Sequence, residues 1–387
     1  MDFALTAEQV ELRDNVLDFA RRGLSGESDP SAPASVGGFR RDLWERCGEF
    51  GILGLPVPNE YGGSGHDMVT TTVAMEALGE GCQDHGLLFS MHAHMWAVVT
   101  PIIAFGTPEQ RDRYLPRLVD GSWVAAHGIS EPGSGSDAYS MRARAIKDGD
   151  HYVLNGTKTF VTNAPVGDLF VVFATVKPER GMWGVTAFLI EKGTPGLSVS
   201  RPFKKLGLTT SPMGEVVLDD CRVPVSNRLG KEGQGATIFN HSMGWERSCI
   251  LASQVGRMQQ QLDACVRYAK EREQFGKPIG SFQLVAAKIA DMKVRLETSR
   301  LLLYRAAWQL SRAAEGGAME AAMAKLYISE SAVASALDAV QLHGGYGYMQ
   351  DFHVEQQLRD SIGGTLYSGT SEIQRLLIAR HLGLSPV

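Results

Sequence analysis

The stretch His127-Gly-Ile-Ser-Glu-Pro-Gly-Ser-Gly-Ser-Asp137 lies where the pattern of this chain changes from helical to β. Before it, apolar residues recur at helical spacing, and after it short β-branched and aromatic runs alternate with turn residues. Its glycines permit a tight turn, in which the backbone can approach a neighbouring group closely. Taken alone, the stretch is equally compatible with a hairpin held by Pro-Gly and Ser-Asp. In either case it places the start of a β domain near Trp123.

The residues before this stretch predict a mainly helical domain. Thr6 and Gln9 have the spacing of a capping box, in which each side chain bonds the backbone amide of the other residue. Helical periodicity predicts further helices over about 40–52, 68–80, 88–104 and 108–119.

The residues after it predict strands and then helices again. Strands are predicted at His151–Leu154, Leu169–Phe173, Val185–Ile190 and Glu215–Leu218. Helices are predicted over about 233–270, 282–313 and 318–342, with two shorter ones toward the C-terminus. We therefore expect an α+β fold with a helical N-terminal domain (1–120), a small central β-barrel or sheet domain (121–228) and a C-terminal four-helix bundle (229–387).

Composition narrows the class of protein. The chain has 387 residues, 44% of them hydrophobic and 21% charged, which are ordinary values for a globular protein with a large core. Its net charge of -5 argues against nucleic acid or an anionic membrane surface as the main partner. The five cysteines are widely spaced and include no CxxC, a usage typical of a reducing compartment without disulfides or zinc. We therefore expect a cytoplasmic protein with no metal site.

Three further motifs follow the first one in order. They are Lys158-Thr-Phe-Val-Thr-Asn163, then Arg272-Glu-Gln-Phe-Gly-Lys-Pro-Ile279, and then Gln341-Leu-His-Gly-Gly-Tyr-Gly347 with Gly369-Thr-Ser-Glu-Ile-Gln-Arg375 beyond it. Individually, each has a structural explanation, such as an ordinary strand or a charged helix end. Together, at this spacing, they make the chain resemble the acyl-CoA dehydrogenase family over essentially its whole length.

That resemblance implies an FAD-dependent enzyme that oxidises an acyl thioester between Cα and Cβ. The positions that match cofactor-binding positions of the family are Ile129, Ser130, Phe160, Thr162, Arg272, Gln274, Phe275, Gln341, Gly344, Gly345, Thr370 and Glu372. The positions that match substrate-binding positions are Ser136, Met243, Arg247 and Gly369.

The resemblance also implies partners. In the family, the segment that matches Gln341–Gly345 reaches into the flavin site of a neighbouring subunit, so a homo-oligomer is expected, at least a dimer and by family norm a tetramer. An electron-transferring flavoprotein is the usual electron acceptor, and oxygen is the alternative. The thioester is carried by coenzyme A or by a carrier protein.

The chain departs from the family at Ser368, where most members carry the catalytic glutamate. A serine hydroxyl cannot remove a carbon-bound proton at neutral pH unless another base activates it. A branch of the family that includes isovaleryl-CoA and long-chain acyl-CoA dehydrogenases places its base on the first long helix of the C-terminal domain, in a Glu-Arg pair. Glu246 and Arg247 match that pair.

The residues around Glu246 leave two interpretations open. Phe239, Met243 and Ile250 share its helical face, so the carboxylate lies on an apolar stripe, where unpaired carboxylates are rare without a role. Without the resemblance, a local pair with Arg247 or with Arg257 on a solvated face is the simpler interpretation. With it, Glu246 is predicted to be the catalytic base.

The identity of the acyl group stays open in the sequence. The residues 242–250 look like those of dehydrogenases that oxidise acyl or prolyl groups on carrier proteins in antibiotic and toxin pathways, and Gly244 replaces larger polar residues of several relatives that use coenzyme A. A short branched acyl-CoA is an alternative substrate. The same fold also hosts flavin monooxygenases and oxidases, and a flavin-binding homologue without catalysis is a third reading of Ser368.

Overall fold

The computed structural model describes residues 4–24, 36–312 and 317–385. Its N-terminal helices are α1 (Ala7–Gly23), α2 (Arg41–Glu49), α3 (Met68–Gly81), α4 (His85–His94), α5 (Thr100–Phe105) and α6 (Pro108–Val119). The predicted capping box is present at α1, where the side chains of Thr6 and Gln9 each accept a hydrogen bond from the backbone amide of the other residue. Thr107 caps α6 in the same way.

A π-helical turn, Met95–Val99, joins α4 to α5, so the helix predicted over about 88–104 is present with an irregular centre. The segment His85–Phe105 is apolar and long enough to cross a membrane, with a mean hydropathy of 1.5. However, 78% of that segment's most apolar window is buried inside the protein. The segment therefore forms part of the folded core.

The central part is an eight-stranded sheet. Its strands are β1 (Ala125–Gly128), β2 (Arg144–Asp148), β3 (His151–Thr162), β4 (Leu169–Thr175), β5 (Val185–Glu191), β6 (Leu197–Val199), β7 (Met213–Pro224) and β8 (Arg228–Leu229). They lie in the order β6-β7-β3-β2-β4-β5-β8, and β1 pairs with β4 in parallel. Every residue of β4 is buried, whereas β3 alternates, because β4 is covered on both faces.

The C-terminal part returns to helices. They are α7 (Gly235–Cys249), α8 (Ala252–Glu271), α9 (Gln283–Ser311), α10 (Gly317–His343), α11 (Gly345–Tyr348), α12 (Val354–Ile362) and α13 (Ser371–His381). A short hairpin, β9 (Glu273–Gln274) and β10 (Lys277–Pro278), separates α8 from α9. Helices α8, α9 and α10 pack on one another and α12 packs on α10, which forms the expected helical bundle.

One sequence-based expectation is wrong in this region, because the single helix predicted over about 233–270 is two helices. The chain leaves regular α geometry at Ile250 and Leu251, between α7 and α8. Apolar periodicity continues through the break, so it could not reveal it.

The N-terminal and C-terminal helices share one hydrophobic core. Trp44, Met75 and Met95 from the first part contact the same cluster as Val255 and Leu296 from the last part. Helices α3 and α8 approach so closely that a Cβ on Gly79 would lie 2.1 Å from the carbonyl oxygen of Ser253. The central sheet contacts α4 of the N-terminal part, because the amide of Ala125 in β1 donates to His94 Nδ1 and Asn163, directly after β3, donates to the carbonyl of Ser90.

Candidate active site

Glu246 lies on α7 and only 8% of it is exposed. Met243 and Ile250, one turn before and one turn after it, are 5% and 4% exposed, so the helical face inferred from the sequence is an interior face. Arg257 does not pair with Glu246, because its guanidinium binds Asp360 at 2.9 Å. The solvated ion pair considered from the residues alone is therefore not what the structure shows.

The carboxylate of Glu246 meets the residue that replaces the usual glutamate of the tail. Ser368 Oγ donates a hydrogen bond to Glu246 Oε2 at 2.5 Å. Burial raises the pKa of Glu246 to about 7, while the hydrogen bond from Ser368 and the positive charge of Arg247 oppose that rise. A carboxyl group with this pKa is populated in both protonation states at neutral pH, which suits proton transfer.

The loop that carries Ser368 is held against α7. Arg247 Nε donates to the carbonyl oxygen of Ser368 at 3.3 Å, and Gln374 Nε2 donates to the carbonyls of Ser368 and Gly369 at 3.2 and 2.9 Å. Gly369 has φ +90°, and a Cβ there would lie 2.6 Å from Gln374 Nε2. Thr370 then caps α13 through the amide of Ile373. Three hydrogen bonds from two side chains thus hold the backbone of the serine loop in place.

An aromatic and histidine network adjoins α7 through Trp245. Trp245 stacks on Trp96 with ring centroids 5.6 Å apart. Trp96 Nε1 donates to His92 Nδ1 at 2.7 Å, and His92 Nε2 lies 2.7 Å from Ser253 Oγ. Burial lowers the pKa of His92 to about 3, so the ring is neutral and carries its proton on Nε2. No local motif joins these residues, so the network could not be predicted from the sequence.

A small polar cavity lies one helical turn from Glu246. It has about 20 Å³ of water-accessible space. It is lined by His85, Phe89, His92, Leu208, Ile250, Ser253, Gln254, Arg257 and Tyr367. Within the described residues, three of its polar atoms have no hydrogen-bond partner, namely His85 Nε2, Gln254 Nε2 and Arg257 Nε. The space accommodates a group about as large as one water molecule and offers it polar contacts.

The sheet contributes a surface of predicted cofactor-binding residues. The amide of Thr159 donates to the carbonyl of Ser130 at 2.9 Å, which ties the loop after β1 to the end of β3. Phe160 is 66% exposed and has φ +56°, and Thr162 ends the strand. Ile129 is buried, and its carbonyl accepts a hydrogen bond from Lys158 Nζ at 3.1 Å.

The remaining predicted residues lie in the loop after β1, in the tail and along α7. Ser136 is exposed in that loop, and Glu372 is exposed in the first turn of α13. Arg247 and Met243 flank Glu246 along α7.

A second group of predicted cofactor-binding residues lies elsewhere in the chain. Arg272, Gln274 and Phe275 are exposed after α8, and Gln341, Gly344 and Gly345 are exposed at the end of α10. The two segments adjoin, because the Arg272 guanidinium lies 5.7 Å from the ring centre of Tyr346.

The structure does not bring this second group to Glu246 within one chain. Lys325 of α10 lies close enough to Arg247 for their charges to interact. From Lys325 the helix runs on to His343, about 27 Å further at about 1.5 Å per residue. The predicted flavin-contacting residues therefore form two separate groups on the surface of a single chain.

Both groups have the chemistry that FAD requires. Within the described residues, the guanidinium of Arg272 has no carboxylate partner, so it is available for pyrophosphate oxygens. Phe160 and Phe275, 66% and 92% exposed, present flat aromatic surfaces. The residues present thus fit a dinucleotide with a flat ring system.

Comparison with known proteins agrees with this geometry over the length of the chain. The family models for the N-terminal, middle and C-terminal domains of acyl-CoA dehydrogenase match residues 6–122, 126–221 and 233–383. The chain belongs to the acyl-CoA dehydrogenase family. This confirms the predicted fold class, whereas the domain boundaries at 120 and 228 stay predictions.

Relatives within the acyl-CoA dehydrogenase family include enzymes of carrier proteins. The L-prolyl-[peptidyl-carrier protein] dehydrogenase of Pseudomonas fluorescens is 48% identical over 347 residues, which are 89% of this chain and 91% of that protein. The solved structure of the prolyl acyl carrier protein oxidase AnaB has a TM-score of 0.94 and 48% identity, covering 98% of this chain and 100% of that one. PigA, solved with FAD and proline, has a TM-score of 0.95 and 42% identity, covering 99% and 100%.

The predicted cofactor and reaction are therefore confirmed at the level of the family. This acyl-CoA dehydrogenase homologue uses FAD and oxidises an acyl thioester carried by coenzyme A or by a carrier protein. The roles of the individual site residues stay predictions, and the structure supplies their geometry.

Proposed function

We propose that this enzyme oxidises a prolyl group that is held as a thioester on a peptidyl carrier protein, with Glu246 as the base. The observation that carries the proposal is the likeness of this chain, over nearly its whole length, to enzymes that act on prolyl groups held by carrier proteins. The prolyl acyl carrier protein oxidase AnaB shares 48% of its sequence with this chain, at a TM-score of 0.94.

Two further observations support the carrier. The Pseudomonas relative is named for a prolyl group on a peptidyl carrier protein, and PigA was solved with proline. On this chain, a Cβ at Gly244 would meet nothing within 4 Å, so the α7 surface near the base is open. An open surface near Gly244 suits the flexible arm of a carrier protein better than coenzyme A, whose nucleotide would need side chains to bind it.

The chain's own residues supply the proton transfer. Glu246 takes the α-proton, and the two electrons of that C–H bond form the new double bond as the β-hydrogen leaves with its own electron pair. FAD, when bound, supplies the acceptor for that hydride. Glu246 is only 8% exposed, and this burial keeps water from the carboxylate and maintains its raised pKa.

The test is anaerobic bleaching of the flavin of the holoenzyme by a panel of thioesters. Prolyl-loaded peptidyl carrier protein should bleach the flavin rapidly, and mass spectrometry of the carrier arm should show the loss of two hydrogens. Prolyl-coenzyme A separates recognition of the prolyl group from recognition of the carrier. Bleaching by isovaleryl- or butyryl-coenzyme A, with no response to either prolyl thioester, would contradict the proposal.

We also propose that the active sites are shared between subunits of a homo-oligomer, a tetramer by analogy with the family. The separation of the two groups of predicted flavin-contacting residues supports this, as does the exposure of Phe275, Leu284 and Tyr348 at 92%, 84% and 75%. Mixed oligomers of Glu246→Gln and Arg272→Ala subunits should then regain activity that neither variant has alone. Failure of mixed oligomers to regain any activity would place each site in one chain.

The electron acceptor is proposed to be an electron-transferring flavoprotein or oxygen. Reoxidation of the reduced enzyme in air distinguishes them. Slow reoxidation that an electron-transferring flavoprotein accelerates identifies the flavoprotein, and rapid reoxidation by air alone identifies oxygen.

A further inference from the structure

Ser368 occupies a backbone conformation that a residue with a side chain normally avoids. Its φ is +53°, in the left-handed region, where a Cβ crowds the neighbouring carbonyl and glycine is favoured. The next residue, Gly369, also has a positive φ and is a glycine. A side chain kept at Ser368 despite this crowding indicates that its hydroxyl makes a contact worth keeping.

That contact is the hydrogen bond to Glu246. The two residues are 122 positions apart in the chain, so only the fold brings them together. Oε2 of Glu246 accepts a hydrogen bond from the hydroxyl of Ser368. Among the described residues, Oε1 has no hydrogen-bond partner, and it is not completely enclosed by protein atoms. Oε2 is therefore held by the serine, whereas Oε1 is in part accessible.

We propose that Ser368 is the positioning residue of the base, whose hydroxyl holds Oε2 of Glu246 so that Oε1 is directed at the α-hydrogen of the substrate. The tail loop thus keeps a part in proton abstraction although it no longer carries the base. The inference rests on the proposed role of Glu246, but not on the identity of the acyl group.

The position of the hydroxyl is itself determined by the fold. Arg247 and Gln374 hold the carbonyl of Ser368 from two sides. On the other side, the ring of Tyr367 packs on Phe89 with centroids 4.7 Å apart. The serine therefore has little freedom to follow a carboxylate that moves, and it acts as a fixed donor. A fixed donor removes one rotational freedom of the base before the substrate arrives.

The charged and titratable groups around this pair are few. Arg247 of α7 is the nearest positive charge, and the phenol of Tyr367 interacts with Glu246 from the tail loop. Lys325 of α10 lies beyond Arg247, and burial together with that arginine lowers its pKa to about 8. Within the described part of the chain, none of these three groups donates a hydrogen bond to the Glu246 carboxylate, whereas Ser368 does.

The test compares four variants. Ser368→Ala removes the hydroxyl and keeps the Cβ, Ser368→Gly removes the hydroxyl and relaxes the backbone, and Ser368→Thr keeps the hydroxyl at a conformational cost. Glu246→Gln identifies the signals that belong to the base. The rate of flavin reduction is measured from pH 5.5 to 9.5 with saturating prolyl-loaded carrier protein, or with isovaleryl-coenzyme A if that thioester bleaches the flavin instead.

A second readout does not depend on turnover. Infrared difference spectra of the resting enzyme follow the carboxyl band that disappears in Glu246→Gln, and they titrate that group directly. Loss of the hydrogen bond to the ionised carboxylate should move its titration to higher pH by about one unit.

The expected result is that Ser368→Ala and Ser368→Gly reduce the flavin about tenfold more slowly, with the pH profile displaced upward and the affinity for the probe unchanged. Ser368→Thr should keep the wild-type profile although its melting temperature falls. The inference is overturned if Ser368→Ala and Ser368→Gly keep the wild-type rate and titration, or if Ser368→Thr loses as much as Ser368→Ala. If Glu246→Gln itself reduces the flavin normally, the proposed base is wrong, which is a separate failure.

Discussion

Replacement of Glu246 by glutamine should lower activity and raise stability at alkaline pH. The substitution keeps the size of the side chain and its acceptor for Ser368, but it removes the group that can take a proton. General bases contribute about 10²–10⁴-fold to rate, so flavin reduction by the substrate should slow by about that factor. This corresponds to about 3–5 kcal/mol of activation free energy.

The stability effect follows from the direction of the pKa shift. Burial raises the pKa of Glu246 from 4.5 to about 7, so the folded protein retains this proton over a range where the unfolded chain has lost it. Stability from the proton is present below about pH 4.5 and is lost as the pH rises to about 7. Between pH 5 and pH 8 the wild-type protein should therefore lose about 2.5 kcal/mol that Glu246→Gln does not lose.

Urea denaturation of both proteins at saturating FAD and at pH 5, 6, 7 and 8 measures this difference. Comparison across pH cancels the constant cost of a buried amide, since that cost does not titrate. Glu60→Gln, at an exposed glutamate of the N-terminal part, serves as the matched control and should change neither rate nor stability. The stability difference between wild type and Glu246→Gln could also stay constant from pH 5 to pH 8. That result would refute the raised pKa of Glu246, and with it the proposal that burial adjusts this carboxylate for proton transfer at neutral pH.

Three further outcomes are expected. The rate of flavin reduction should rise about tenfold from pH 6 to pH 8 as Glu246 ionises. Arg247→Gln should move that rise to higher pH, because the positive charge of Arg247 favours the ionised carboxylate. A stopped-flow pH profile that stays where it is in Arg247→Gln would exclude this effect of Arg247 on the pKa of Glu246. Ser368→Glu in the Glu246→Gln background should restore flavin reduction in part, because Ser368 Oγ lies 2.5 Å from Glu246 Oε2. Activity no higher than that of Glu246→Gln alone would show that a carboxylate on the tail loop cannot reach the substrate. Asp360→Asn should lower the free energy of unfolding by about 3–5 kcal/mol, because it leaves the buried guanidinium of Arg257 without its charged partner. An unchanged urea midpoint would contradict the stabilising role of this ion pair.

Features encoded in a few neighbouring residues could be predicted from the sequence. The capping box of Thr6 and Gln9 is present, as are the four predicted strands. The apolar face of Glu246 was also visible, because residues three and four positions apart on a helix must lie on one side. The break after Cys249 was not visible, since the apolar pattern continues across it while the packing of α8 on α3 decides its course.

Features that join distant residues could not be predicted. Trp245 stacks on Trp96, and Arg257 pairs with Asp360, 103 positions away. Local spacing holds no information about which distant groups meet, since any of several partners would satisfy the same charge or ring. The sequence accordingly allowed Arg257 as a partner of Glu246, and the fold excluded it.

The sequence alone determined the family, the order of helical and β parts, and a carboxylate on an interior face of α7, because these depend on motifs and on periodicity along the chain. Only the tertiary structure decided that the serine of the tail meets that carboxylate. It also decided that the two groups of predicted flavin-contacting residues lie apart on one chain, since the length of α10 separates them. The raised pKa of Glu246 belongs to this second kind of property, because burial is produced by the whole packed core and not by any neighbour in sequence.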